Sequence, residues 1–206
     1  MTAIRSKTQR AASKQAVDPE HAVSWLRLPE PPDVESNTAL FERSRQNLGY
    51  VRNMQYILAQ HPAVLAAQDA LSRSLTVDFE GGLSGKEREL IALVVSVHNR
   101  CEPCVWGHAA KLRQITGDPL WVGMIEVNYR RASLSERERA LADYALKITE
   151  APATIEPADV DRLRDAGVAE GEIIEAAAVA AYFNLSNRIN SALGIHPNPQ
   201  PFSANR

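Results

Sequence analysis

The stretch "SGKERELIALVVSVHNRCEPCVWGHAAKLRQITG", residues 84–117, decides the fold. Its first half sets Leu90, Ile91, Leu93, Val94, Val95 and Val97 almost all round a helical cylinder, the pattern of a helix buried on every side. Ser84 and Glu87 form a capping box, which satisfies amide groups left unpaired at a helix start. The β-branched pair Val94-Val95 would suit a strand. The Glu/Arg/Leu/Ala lead-in and the length of the run favour a helix. A second helix follows after Asn99 and Arg100. Pro103 suits its first turn, where no amide is needed, and Gly117 suits its C-terminal cap.

Working outward, the rest of the chain also reads as helix. Residues 1–24 are polar, lack periodicity and are expected to form a flexible arm. The proline-rich run 26–36 is expected to be an extended wrapping segment, since each proline pushes its predecessor out of the helical region. Asn37 is a candidate cap for a helix that ends at Gly49, and a short helix precedes Pro62. Pro62 opens a third helix, with Val64, Leu65, Leu71 and Leu75 at helical spacing. After the glycine-bearing loop at 80–85 and the opening pair, a less regular run covers 119–129. Ser135–Glu138 is another capping box, and two further helical runs cover 156–167 and 169–194. No strand pair and no glycine-rich phosphate loop are recognisable. The expected class is all-α, with one helical domain over 25–196 and a tail over 197–206 that forms a surface strap.

An internal echo recurs 83 residues on. "ERELIALVVSVHNRCEPCVWGHA" and "EGEIIEAAAVAAYFNLSNRINSA" share an acid, an apolar run and a polar group, so that Asn184, Asn187 and Ser191 fall where Cys101, Cys104 and His108 fall. Two readings stay open: a helical duplication with a CxxC half (about 37–117) and a degenerate half (about 133–194), or two buried helices of like composition.

Composition excludes some functions. The net charge of −2 gives no basic face for nucleic acid. No window approaches the ~20 apolar residues that span a bilayer. The first fifteen residues lack the apolar core of a signal peptide, so the expected location is the cytoplasm. In that reducing compartment, two cysteines point to redox or metal chemistry rather than to a structural staple.

Those cysteines, Cys101 and Cys104, are the only ones in the chain, and His108 follows four residues after the second. One helical turn separates the thiols, within the reach of a disulfide. Cys104 and His108 are i and i+4, hence on one helix face. A cysteine at a helix start gains from the positive end of the dipole, which favours its thiolate. Glu89 lies twelve residues before Cys101, ~18 Å away in one straight helix at about 1.5 Å per residue. If the chain reverses at Asn99 and Arg100, residue 89 lies level with residues near 110. Glu89, His108 and Cys104 then form a line in which the carboxylate orients the imidazole, supports its cationic form, and lets it take the thiol proton. Glu87, rotated away, is left to the cap. Trp106 and Trp121 are candidates for a pocket wall or for packing, and His98 is expected to be a helix-end residue.

The pattern Glu89-x11-Cys101-x2-Cys104-x3-His108 resembles the signature of the AhpD-like alkylhydroperoxidases within the carboxymuconolactone decarboxylase superfamily. The flanks "GYVRNMQYILAQHPAVLAAQDAL" and "YFNLSNRINSALGI" resemble its peroxidase-related branch, and the likeness covers about residues 25–196. The resemblance implies an all-helical fold, a trimer or hexamer, and hydroperoxide reduction without a cofactor or metal. In that family pattern Cys104 matches the peroxidatic cysteine. Cys101 matches the partner that resolves its sulfenic acid to a disulfide, His108 and Glu89 match the proton relay, and an external dithiol restores the thiols. Pro103 departs from members with a histidine or aromatic residue before the second cysteine, which bears on substrate handling and rate. Three alternatives stand beside this reading. A decarboxylase of the wider superfamily would not need the CxxC. A zinc site would draw on Cys101, Cys104, His108 and Glu89. A non-catalytic, redox-responsive module would cycle its disulfide without turnover.

Overall fold

The computed structural model of the chain describes residues 23–77 and 82–206. The arm expected over 1–24 lies, up to residue 22, outside the described residues. So do residues 80–81 of the expected loop. The elements in order are α1 (Glu35–Leu48), α2 (Asn53–Leu58), α3 (Pro62–Thr76), α4 (Gly85–His98), α5 (Glu102–Thr116), α6 (Pro119–Asn128), α7 (Glu136–Glu150), α8 (Pro157–Asp165), α9 (Glu170–Ala192) and α10 (Gln200–Ser203), with short 3-10 turns at 129–131 and 152–154. Among the described residues there is no strand, and no helix is long and apolar enough to cross a membrane. The all-α class holds.

α4 is the axis of the molecule. Every residue from Glu87 to Ser96 is buried. Ile91, Ala92 and Val95 pack with Leu141, Leu163, Val179 and Phe183. Leu90, Leu93 and Val94 turn to a second cluster with Leu112, Val122 and Ile125. A helix buried on all sides joins two cores, and each large apolar side chain it buries contributes roughly 1.5–3 kcal/mol. The capping boxes Ser84–Glu87 and Ser135–Glu138 both form. Buried Arg88 and Glu175 pair across α4 and α9, and Glu175 also accepts the Leu83 amide at 2.9 Å. Gly82, at φ +71°, lies so close that a Cβ there would come within 2.4 Å of the same carboxylate.

Some expectations were redirected by packing. On α3, Leu65 and Leu75 are buried, but Val64 and Leu71 are 50% and 44% exposed, so the apolar face is narrower than their spacing suggested. Asn37 does not cap α1, which begins two residues earlier. Its buried amide instead donates to the carbonyls of Pro32 (2.9 Å) and Ala59 (3.0 Å). The proline-rich run lies along α2 of its own chain, where Gln60 donates to the Pro29 carbonyl at 2.8 Å and Tyr56 donates to Glu30. The two halves of the internal echo are folded differently: 87–109 is a helix–turn–helix, whereas 170–192 is one unbroken helix.

The C-terminal strap is pinned at both ends. Asn53 holds Asn198 and the His196 carbonyl, each at 2.9 Å. Arg113 reaches the carbonyls of Pro201 (2.8 Å) and Ala204 (2.9 Å), while Trp106 packs on Phe202.

Candidate active site

The site begins at the reversal between α4 and α5. Asn99 caps α4, and Arg100 takes a left-handed conformation at φ 53° that folds the chain back. Such a conformation is uncommon outside glycine and marks a sharp change of direction. Asn99 is held from α9, donating to the side-chain oxygens of Asn184 and Asn187, each at 3.0 Å. Cys101 is then the N-cap residue of α5, and its carbonyl accepts the amides of Cys104 (3.1 Å) and Val105 (2.8 Å). Pro103 stands in the first turn and Gly117 ends the helix at φ 64°, as their chemistry required.

Antiparallel α4 and α5 bring Glu89 level with His108. The carboxylate Oε2 lies 2.6 Å from His108 Nδ1, and Oε1 accepts from Lys111 Nζ at 3.0 Å. The pair His108–Glu89 is therefore present. Lys111 is an addition that the sequence reading missed, although the same rise count that reached 108 also reaches 111. Glu89 is only 5% exposed. Burial pushes its carboxyl up, but Lys111 and His108 outweigh that and draw it down to about 2. The group is a carboxylate at any pH near neutrality. With Nδ1 engaged, Nε2 is the imidazole nitrogen left to exchange a proton with a ligand. The ring edge rests on Phe183 at 4.4 Å between centroids.

The two sulfurs lie 2.9 Å apart, with Cys101 donating to Cys104. A disulfide at ~2.05 Å needs an approach of about 1 Å, which two side-chain rotations can supply. The pair is electrically divided. The hydrogen bond from Cys101 is the largest influence holding the Cys104 thiol below its ordinary range, against the cost of burial. Asn187, Asn190 and Ser186 of α9 add to it, with Asn190 Nδ2 at 3.2 Å from the sulfur. The same bond, together with burial and the charge on Cys104, pushes the Cys101 thiol well above its range. The thiolate belongs to Cys104, and its support comes from a neighbouring thiol and from α9. The expected source, the imidazolium of His108, is not among the leading influences.

Cys104 and His108 both line a cavity of about 330 Å³ bordered by the end of α1, the segment leading into α2, α2, α3, α5, α9 and the C-terminal strap; Cys101 does not line it. A larger hollow of about 800 Å³ runs along α7 and α8 and contains none of these residues. Neither Trp106 nor Trp121 lines the thiol cavity: the first packs on Phe202, and the second donates to the Ser133 carbonyl at 2.9 Å. His98 sits exposed at the end of α4.

The carboxymuconolactone decarboxylase family matches residues 62–119, which include both cysteines, Glu89 and His108. The crystal structure of an uncharacterized peroxidase-related protein from Silicibacter sp. TM1040 is 36% identical, with a TM-score of 0.86 over 93% of this chain and 100% of that one. The alkylhydroperoxidase AhpD core of a peroxidase-related protein from Ralstonia eutropha JMP134 is 33% identical, with a TM-score of 0.84 over 90% of this chain and 98% of that one. The chain belongs to the AhpD-like group of the carboxymuconolactone decarboxylase superfamily. The debrominase Bmp8 shares the fold at 21% identity, with a TM-score of 0.74 over 88% of this chain and 97% of that one. No curated protein matches the chain in sequence.

Within this AhpD-like fold the four sequence-derived residues fall into two pairs, Cys101 with Cys104 and His108 with Glu89. Among the described residues no three His, Cys, Asp or Glu side chains converge as metal ligands would. The α9 donors Asn187, Asn190 and Ser186 had no motif to announce them. The one signal was the internal echo, which set Asn187 against Cys104. The two do meet, but as packed neighbours.

Proposed function

We propose that this AhpD-like protein is a thiol-dependent hydroperoxide reductase. The observation that carries the reading is Cys104 on the cavity wall, its thiol held low, with the protonated Cys101 thiol 2.9 Å behind it. In the first step the Cys104 thiolate attacks the terminal oxygen of the hydroperoxide. An S–O bond forms, the O–O bond breaks, and the alkoxide leaves as alcohol after taking a proton from His108, which Glu89 holds in place. Cys104 has lost two electrons and become a sulfenic acid. The Cys101 sulfur then displaces its oxygen, forming the disulfide and releasing water. An external dithiol reduces the disulfide by exchange and departs oxidised. No cofactor or metal enters the cycle. The carboxymuconolactone decarboxylase alternative gives this thiol pair no task.

The test is consumption of cumene hydroperoxide by the purified protein with dithiothreitol. Turnover is expected, and protein treated with peroxide alone should lose the mass of two hydrogens and both free thiols. No consumption, together with two persistent thiols, would overturn the reading.

Assembly into a trimer or hexamer belongs to the same proposal. It is supported by the outer face of α6, where Leu120 and Val127 are 77% and 84% exposed. Light scattering is expected to give a multiple of the chain mass at micromolar concentration, and a monomer with intact helicity would refute it.

A further inference from the structure

The cavity in front of Cys104 is lined by Arg52, Lys111, His108 and His196, and by no aspartate or glutamate. Lys111 is engaged by Glu89. Arg52 is different. Among the described residues no carboxylate pairs with it, and its Nε is buried without a hydrogen-bond partner. Other arginines of this chain are matched: Arg43 to Asp69, Arg137 to Glu87 and Glu172, Arg164 to Asp161 and Glu170. Asp69 borders a small hollow beside Arg52, but Arg43 takes it.

The backbone at Arg52 is held at the start of α2. Its amide donates to Gln55 Oε1 at 3.2 Å, and that oxygen is held in turn by Ser44 at 2.8 Å. Tyr50 stands close by: burial pushes its hydroxyl up and the Arg52 charge draws it down. Tyr182 lines the same cavity as Arg52 and Cys104; burial is the largest influence raising its hydroxyl, and the Arg52 charge draws it down. Arg52 thus borders a cavity without an acid while its buried Nε has lost hydration and found no partner in return. A planar carboxylate matches its fork of donors and restores the balance.

We infer that the cavity selects a substrate bearing a carboxylate, held by Arg52 with Tyr50 beside it while the reacting oxygen meets Cys104. The inference deepens the hydroperoxide-reductase reading and rests on it for the identity of the reacting group. Anionic hydroperoxides are the substrate class, in preference to neutral ones of the same shape. The expected preference is about tenfold, the scale of one charge-assisted hydrogen-bonded pair in a half-open site.

The test compares 4-carboxycumene hydroperoxide with its methyl ester, using neutral dithiothreitol as reductant so that the oxidant alone carries charge. In the wild type, kcat/KM for the acid should exceed that for the ester about tenfold, and the ratio should fall toward one in Arg52→Gln and to an intermediate value in Arg52→Lys, which keeps the charge but not the fork of donors. Equal values in the wild type, or a ratio unchanged in a folded Arg52→Gln, overturn the carboxylate site. The wild-type comparison stands even if the variant fails to fold. A calorimetric titration with 4-isopropylbenzoate, which has no O–O bond, separates this inference from the one beneath it. Binding that weakens about tenfold in Arg52→Gln, without any peroxide consumption, upholds the carboxylate site and overturns the peroxidase reading. Turnover of acid and ester alike, without benzoate binding, does the reverse.

Discussion

Cys104→Ser is expected to reduce hydroperoxide consumption to the uncatalysed background, a loss on the order of 10⁴-fold or more, as removal of an enzyme's nucleophile produces. A serine hydroxyl is not ionised near neutral pH and cannot accept oxygen from a peroxide. Cys101→Ala should behave differently. Its Cys104 still faces the cavity but loses the hydrogen bond that most favours its thiolate. The alkylation midpoint of Cys104 should therefore move to higher pH. One equivalent of peroxide, without reductant, should leave a sulfenic acid that a trapping reagent such as dimedone captures. With no resolving thiol 2.9 Å away, excess peroxide should carry Cys104 on to sulfinic acid. Stopped-flow consumption and intact-protein mass spectrometry read both outcomes. Turnover retained in Cys104→Ser but lost in Cys101→Ala would exchange the two roles.

Glu89→Gln is expected to slow turnover by roughly 10²–10⁴-fold, the range typical of a general acid–base group or the residue that orients it. The amide keeps the size of the side chain, and glutamine is a good helix former, so the fold should survive. What it loses is the charge between His108 Nδ1 and Lys111 Nζ. Two comparison variants make the result specific. Glu87→Gln, in the capping box of the same helix and bonded to Arg137, should cost about 1 kcal/mol of capping and little activity. Asn190→Leu removes a donor from the sulfur and should raise the alkylation midpoint of Cys104, whereas Glu89→Gln should hardly move it. If Glu89→Gln and Glu87→Gln behave alike, the relay is refuted. Acid titration gives a separate readout. The Glu89 carboxyl lies at about 2 in the folded chain against 4.5 for the ordinary group. A carboxyl depressed on folding stabilises the protein above its unfolded value, and that stability is lost as pH falls from about 4.5 toward 2. Glu89→Gln should flatten the acid limb of the stability profile in that window.

The fold was legible wherever a local rule suffices. Proline and glycine placed the starts of α3 and α5 and the end of α5, two capping boxes placed α4 and α7, and the apolar girth of α4 announced its central burial. These signals survive in sequence because a helix closes its hydrogen bonds within four residues. The internal echo was less informative. Composition repeated over 83 residues, but the break supplied by Asn99, Arg100 and Pro103 has no counterpart in α9.

The same division runs through the site. The thiol pair, the helix start beneath it and the meeting of Glu89 with His108 were all readable from residue order alone. These depend on one reversal and a fixed rise per residue, so counting along two adjacent helices is enough. Which sulfur faces the cavity, what stabilises its thiolate and which cation shares that cavity were set by packing between distant segments. Asn190 reaches Cys104 across 86 residues of sequence, and Arg52 comes to the same cavity from the residue just ahead of α2. Neither carries a periodic or spaced signature. An asparagine on a long helix and an arginine ahead of a short one read as ordinary surface chemistry until packing dehydrates them, and burial is what gives a lone amide or guanidinium its electrostatic weight.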